Sequence, residues 1–258
     1  MYSRAELADG FRALGIAPGD TVMVHASVRS VGEVAGGPDQ IHLALKDALT
    51  DQGTLMMYAS CPSYYDEVDR GNLTADQERE VREKLPAFDP LTARSARDNG
   101  ALVELLRTYP GSIVNPHVAR FVVWGRHAGL LLSHQPWSYA LGSGSALDRF
   151  MQLDGRILLL GSDHDATTFL HYAEHIVEIP ANAWRGTRCR SARMADESGA
   201  TWKSSTPRTR APIPTGPCGS LRAWWTRISR APTIAEGLSG RHRPCSSTLA
   251  DYTSSPCA

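Results

Sequence analysis

Four short apolar runs recur through the first 180 residues: TVMVHA (21–26), TLMMYA (54–59), RFVVWG (120–125) and RILLLG (156–161). Continuous apolar runs this short, bounded by turn residues, read as strands buried on both faces. The segments between them follow a different period. Leu7, Phe11 and Leu14 lie at helical spacing and end at Gly15, with APGD as a turn. Gly37 and Pro38 open a helix carrying Ile41, Leu45, Ala48 and Leu49; proline is tolerated in a first turn because its missing N–H has no intrahelical partner there. TADQEREVREKL, GALVELLRTY, SALDRFMQL and ATTFLHYAEHIVEI read as further helices, and PAFDPLTA as an irregular crossing. Buried strands alternating with helices restrict the chain to an α/β sandwich, with the chemistry expected on loops at the strand ends. No internal repeat is visible.

The pattern stops near residue 182. Residues 1–182 carry 15 Lys and Arg against 23 Asp and Glu, a net charge of −8, whereas residues 183–258 carry 12 against 4, a net of +8. The latter stretch holds eleven Ser, nine Thr, eleven Arg and seven Pro, no Phe or Val, and four of the five cysteines. Such a composition cannot supply the strands and helices that would complete a sandwich. ADESGATWK alone reads as a turn flanked by residues suited to a hairpin. The mixture of Arg, Ser, Pro, Trp and Cys is that of GC-rich coding sequence read out of frame, the alternative being a genuine basic tail that engages nucleic acid. The expected organisation is therefore a main unit at 1–182 and an atypical segment at 183–258. No apolar run reaches the roughly 20 residues of a membrane span, and the N-terminal MYSRAELADGFRALG lacks the apolar core of a signal peptide. A cytoplasmic protein with no membrane partner is expected, and the oligomeric state stays open.

Within LHYAEH, His171, Glu174 and His175 are spaced three and four apart, so one helical face carries all three. Three readings fit. In an inverted zincin pattern His171 and His175 ligate a metal and Glu174 is the base, with a third ligand still to be found. In an acid–base site, Glu174 raises the basicity of His171 and fixes its tautomer, which suits a proton acceptor near neutral pH. In the third, the helix is a polar surface. The segment follows the strand RILLLG and the loop SDHD, at the carboxyl end of a strand, a common address for active sites in α/β folds.

Beyond this helix, GDTVMVHASVRSVGEVAGGPDQIHLALKDALTDQGTLMMYAS, FDP, RDNGALVELLRT, NP and ILLLGSDHDATTFLHYAEH together resemble the aminoglycoside 3-N-acetyltransferases, from about residue 5 to 182 and faintly again at ADESGATWK. The resemblance implies a three-layer α/β/α sandwich of the antibiotic N-acetyltransferase type, distinct from the larger acetyltransferase superfamily. It implies transfer of acetyl from acetyl-CoA to the 3-amino group of the 2-deoxystreptamine ring, conferring resistance to gentamicin-type drugs. His171 becomes the base and Glu174 its support; His175 falls at a position the family leaves variable, which argues against zinc. Asp165 and Thr168 match substrate-side positions in the loop and helix start. Ser27, Val28, Arg29, Ser30 and Val31, in HASVRSVG, look like the coenzyme A loop, and Ser145 of GSGS offers a further contact to the cofactor. Tyr58, Asp66 and Glu67 are candidates for the path of the drug, whose several ammonium groups suit the acidic charge of residues 1–182. No metal and no nucleic acid enters this reading. Transfer is direct, since Cys61 has no evident partner histidine that would make it a nucleophile.

The chain departs from the pattern at several points. Cys61 stands where relatives often have Trp, GSIVNP lacks the usual Arg-Ser pair, and Ala146 replaces a common Pro. Where the resembling sequences carry an acidic segment that helps bind drug amines, this chain reads SSTPRTRAP, with the opposite sign of charge.

Overall fold

The computed structural model describes residues 1–65, 73–137, 140–176, 185–189 and 200–204. The chain enters through α1 (Arg4–Ala13), whose start is fixed by a capping box: the Ser3 hydroxyl oxygen accepts from the Glu6 N–H and the Glu6 carboxylate accepts from the Ser3 N–H. Each bond satisfies an N–H that a helix start otherwise leaves without a partner. Strand β1 (Thr21–Ala26) is followed by the single turn α2 (Val28–Val31), then α3 (Asp39–Leu49) and β2 (Thr54–Tyr58). Next come α4 (Ala75–Lys84), with a second capping box between Thr74 and Gln77, and α5 (Ala101–Thr108). After β3 (Ser112–Val114) and β4 (Phe121–Gly125), the chain forms α6 (Ala128–Leu131), α7 (Ala146–Gln152), β5 (Arg156–Leu160) and α8 (Leu170–Ile176).

The five strands make one sheet in the order β3-β4-β2-β1-β5. Central β1 runs parallel to β2 on one side and β5 on the other, while β2–β4 and β4–β3 are antiparallel. Because side chains alternate along a strand, the apolar runs serve two cores at once. Val22, Val24, Leu55, Met57, Leu158 and Leu160 face one core with Leu7 and Phe11 of α1, Ile41, Leu45 and Leu49 of α3, and Leu102 and Leu106 of α5. Met23, Met56, Val123, Ile157 and Leu159 face the other, with Leu131 of α6, Leu147 and Phe150 of α7, and Phe169 and Tyr172 at α8. The expected three-layer α/β/α sandwich is what forms.

Three local expectations are corrected. The short edge strand β3 falls in a segment with no strand signal: it is three residues long and leaves Ile113 exposed. The helix expected from Ala166 begins at Leu170, because His164–Ala166 form a 3-10 turn and Thr167 and Thr168, both buried, bridge the two. HASVRSVG contains the helical turn α2 rather than an open loop. Of ADESGATWK, the last four residues lie in β7 (Ala200–Ser204), which pairs antiparallel with β6 (Arg185–Cys189), while residues 195–199 lie outside the described residues. Among the described residues no helix is long and apolar enough to cross a membrane.

The exit of β2 is held by Arg120, whose fully buried guanidinium donates to the carbonyls of Ser60, Pro90, Ala93 and Arg94. A guanidinium has five donors and no acceptor, so converging carbonyls are what make its burial tolerable. Further along, Gly125 ends β4 at φ 106, and a Cβ there would overlap the Gly53 carbonyl oxygen. Gly125→Ala is therefore expected to lower stability by about 2–4 kcal/mol through backbone strain and overlap, read as a drop in Tm. An unchanged Tm would mean that this crossing has slack the structure does not suggest.

Candidate active site

The site is assembled at the carboxyl ends of β1 and β5, neighbours and parallel in the sheet with His25 opposite Leu159 and Ala26 opposite Leu160. Parallel pairing puts the loops that follow both strands on the same edge. The β1 loop is tied to the end of β5 directly: Ser27 N–H donates to the Leu160 carbonyl at 2.9 Å. Gly161, at φ 64, passes so close to Ser30 that a Cβ would overlap the serine side chain. On the other flank, Gly100 leaves only 2.9 Å between a would-be Cβ and the Ala26 carbonyl oxygen, which seats the Arg97–Asn99 turn against β1. HASVRSVG, RDNG and the segment leading to His171 thus meet at one end of the sheet.

In the first of these, the Ser30 hydroxyl donates to the Ser27 hydroxyl oxygen at 2.8 Å. Arg29 and Ser30 are exposed, Ser27 and Val28 half-buried, and Val31 packs into the core. Arg29 and Ser30 are open to a ligand, while Val31 is a core contact.

On α8, His171 Nδ1 lies 2.8 Å from Glu174 Oε2, each side chain about one-third exposed. A carboxylate can only accept, so Nδ1 is the donor of this contact, and in the neutral ring the lone pair lies on Nε2. His171 N–H donates to the Thr168 carbonyl; Thr168 itself is buried, and Asp165 is exposed in the preceding turn. His175 differs from His171. Its ring packs on Gly142, where a Cβ would come within 3.0 Å of the imidazole. Burial first, then the charge of His171, pushes its pKa down to about 4 against the opposing pull of Glu174. Among the described residues no three His, Cys, Asp or Glu side chains are grouped to hold a metal ion.

The remaining candidates are placed as follows. Ser145 is fully buried as the N-cap of α7, its hydroxyl oxygen accepting from the N–H groups of Leu147 and Asp148. Tyr58 ends β2 with its ring on Phe121, centroids 5.1 Å apart. Cys61 is buried. Asp66 and Glu67 lie outside the described residues, as does SSTPRTRAP beyond Ser204.

Two residues escaped the sequence reading. Tyr172 donates its phenol to Asp148 Oδ1 at 2.8 Å, and Asp148 Oδ2 accepts from the Gly144 N–H at 2.7 Å. The available signal was Ser145-Ala-Leu-Asp148, a Ser-x-x-Asp helix start. Nothing in the sequence marked Tyr172 as its partner.

Known proteins were compared with this arrangement. The family profile described as Aminoglycoside 3-N-acetyltransferase matches residues 23–218. Aminoglycoside N(3)-acetyltransferase III of Pseudomonas aeruginosa is 42% identical over 180 residues, covering 69% of this chain and 65% of the relative. Aminoglycoside N(3)-acetyltransferase VII of Streptomyces paromomycinus is 38% identical over 182 residues, covering 69% and 62%. The chain therefore matches just under two thirds of the length of these relatives. Among solved structures, AAC-IIIb in binary complex with CoASH superposes with a TM-score of 0.71 at 36% identity, covering 83% of this chain and 79% of that one. AAC-VIa bound to sisomicin gives 0.73 at 30% identity, covering 84% and 81%.

Two histidines, half-buried His25 and fully buried His117, give the fold an acid sensitivity. Burial pushes His25 down to about 4 and His117 to about 3. With folded values below the unfolded one near 6.5, the unfolded chain takes up protons first as pH falls. Stability is then fully present above about pH 6.5 and is lost as pH falls toward the folded values, by about 2 kcal/mol per histidine at pH 5. Thermal melts at pH 7.5 and 5.0 should show a lower Tm at the acid value; equal Tm values would mean that these imidazoles protonate without cost in the fold.

Proposed function

Because the chain belongs to the aminoglycoside 3-N-acetyltransferase family, we propose that it transfers acetyl from acetyl-CoA to the 3-amino group of the 2-deoxystreptamine ring of an aminoglycoside, with His171 as base and Glu174 as its support. The observation that supports this reading is the His171–Glu174 contact at 2.8 Å: a carboxylate can only accept, so in the neutral ring Nδ1 is the donor and Nε2 is left to take a proton. The relatives' names, and solved relatives holding CoASH in one case and sisomicin in another, support the two substrate classes.

The chemistry needs such a base. A substrate ammonium has no lone pair, and only the neutral amine attacks a thioester. As nitrogen bonds to the acetyl carbon, the C–S bond breaks, the electron pair leaves on the coenzyme A sulfur, and one N–H proton must go. His171 Nε2 takes it and can return it to the departing thiolate, so no external acid is consumed. No covalent enzyme intermediate is required, and the buried Cys61 is not assigned one.

Residues 1–182 supply the main part of this catalytic unit, and their net charge of −8 favours a polycationic drug over an anionic partner. Arg29 and the Ser27 and Ser30 hydroxyls are assigned to the phosphates of acetyl-CoA. Tyr58, Asp66, Glu67, Asp165 and Thr168 are assigned to the drug side of the site. A cytoplasmic location follows from the acetyl donor.

Release of free thiol from acetyl-CoA by the purified chain, with and without gentamicin, tests the reading. Drug-dependent release is expected, and none would overturn it for this chain. His171→Ala should reduce the rate by roughly 10²–10⁴-fold, the usual contribution of a positioned base. Glu174→Ala should cost less, and His175→Ala least, because His175 is a packing residue. Equal losses at 171 and 175 would contradict the assignment.

A further inference from the structure

The helix that carries His171 is short, and the residues on either side of Glu174's turn are both fastened to one neighbouring segment. Tyr172 reaches α7 through its phenol, 2.8 Å from Asp148 Oδ1. The other oxygen of that carboxylate takes the Gly144 N–H at 2.7 Å, and Gly144 lies two residues from Gly142, against which the His175 ring is packed. The connections close on themselves: Tyr172 to Asp148, Asp148 to the glycine turn, the glycine turn to His175. Glu174 sits between the two points of attachment, and His171 immediately precedes the first.

We propose that Tyr172 and Asp148 are positioning residues that set the orientation of the His171–Glu174 pair by clamping α8 onto the Gly142–Ser145 turn, an inference that rests on the acetyl-transfer reading for its consequence but not for its geometry. Neither residue touches the reacting atoms. The phenol is a partly shielded donor, raised to about 12 first by burial and then by its bond to Asp148, so it keeps its proton at working pH. Among the described residues the phenol and the glycine turn share Asp148, which makes it the junction of the clamp. One hydrogen bond of this kind is modest in stability, yet a small displacement of a catalytic group can be felt strongly in rate.

Tyr172→Phe is the direct probe, because it keeps the ring beside Phe169, with centroids 5.5 Å apart, and removes only the hydroxyl. Asp148→Asn is the second, since an amide offers one acceptor where the clamp uses two. Two readouts on the full chain separate the possibilities. The first is gentamicin-dependent thiol release, where both variants should lower kcat by about tenfold with KM for acetyl-CoA unchanged. The second is the nitrogen-15 spectrum of histidine-labelled protein, with the His171 signal identified by its loss in His171→Gln. Both variants should move that signal away from the pure Nδ1–H form of the parent. If transfer occurs and neither variant changes kcat or the His171 signal, or if only KM changes, the clamp is overturned and the transfer reading stands. If the parent chain releases no thiol but both variants shift the His171 signal, the clamp stands and the transfer reading falls.

Discussion

Strands β1 and β5 are far apart in sequence yet lie side by side and parallel, and the site depends on that pairing. A parallel pair cannot be closed by a hairpin, so everything from α2 to α7 is in effect the connection between them. What the pairing secures is a shared edge. Ala26 and Leu160 are opposite each other, so the turn beginning at Ser27 and the segment beginning at Gly161 start from the same place. The Ser27 N–H bond to the Leu160 carbonyl and the near-contact of Gly161 with Ser30 then lock the two loops together. A residue with a Cβ at 161 would push them apart. The chemistry-bearing helix inherits its position from this junction.

Because β1 is central and flanked on both faces, its side chains cannot be polar without a reason. Five of its six residues are buried, and the exception is His25, at the carboxyl end where the loops converge. The same two-faced burial explains why the helices divide as they do. α1, α3 and α5 cover one face with aliphatic residues and Phe11. The other face is more aromatic, with Phe88, Phe121, Phe150, Phe169 and Tyr172, and it is this face that carries α8. Packing against rigid rings, together with the Tyr172–Asp148 bond, gives a helix of seven residues a fixed seat that its length alone would not provide.

Much of this was legible from residue types alone. The strands were visible because a run such as VMV or ILLL has no helical period, and α1, α3 and α5 because their apolar residues recur at three and four. What stayed hidden was whatever depends on a partner distant in the chain. Strand β3 is three residues of an exposed edge and carries too few side chains to show alternation. The start of α8 is delayed by Thr167 and Thr168, which are turned inward and used to cross from the 3-10 turn, a tertiary preference that overrides an apparently helical string. Tyr172 carries no mark in the sequence that pairs it with Asp148 of α7. The charge changes sign at 182; the paired strands β6 and β7 lie beyond that point, and the family match extends to residue 218.

The His-x-x-Glu-His string had three readings because spacing on a helix says only which side chains share a face. What separates them is how the carboxylate is spent. In a metal site of this pattern both imidazoles must present nitrogens to one ion, with the carboxylate left to activate water. Here Glu174 is committed to His171 Nδ1, and the ring of His175 is pressed against the backbone of Gly142. The two histidines therefore face different environments despite sharing a helix. Burial penalises the charged form of His175 and pushes its pKa down to about 4. A polar surface helix would have had no cause to bury one imidazole and pair the other. One imidazole is paired with a carboxylate and the other is packed against backbone, the asymmetry that a single-base reading calls for.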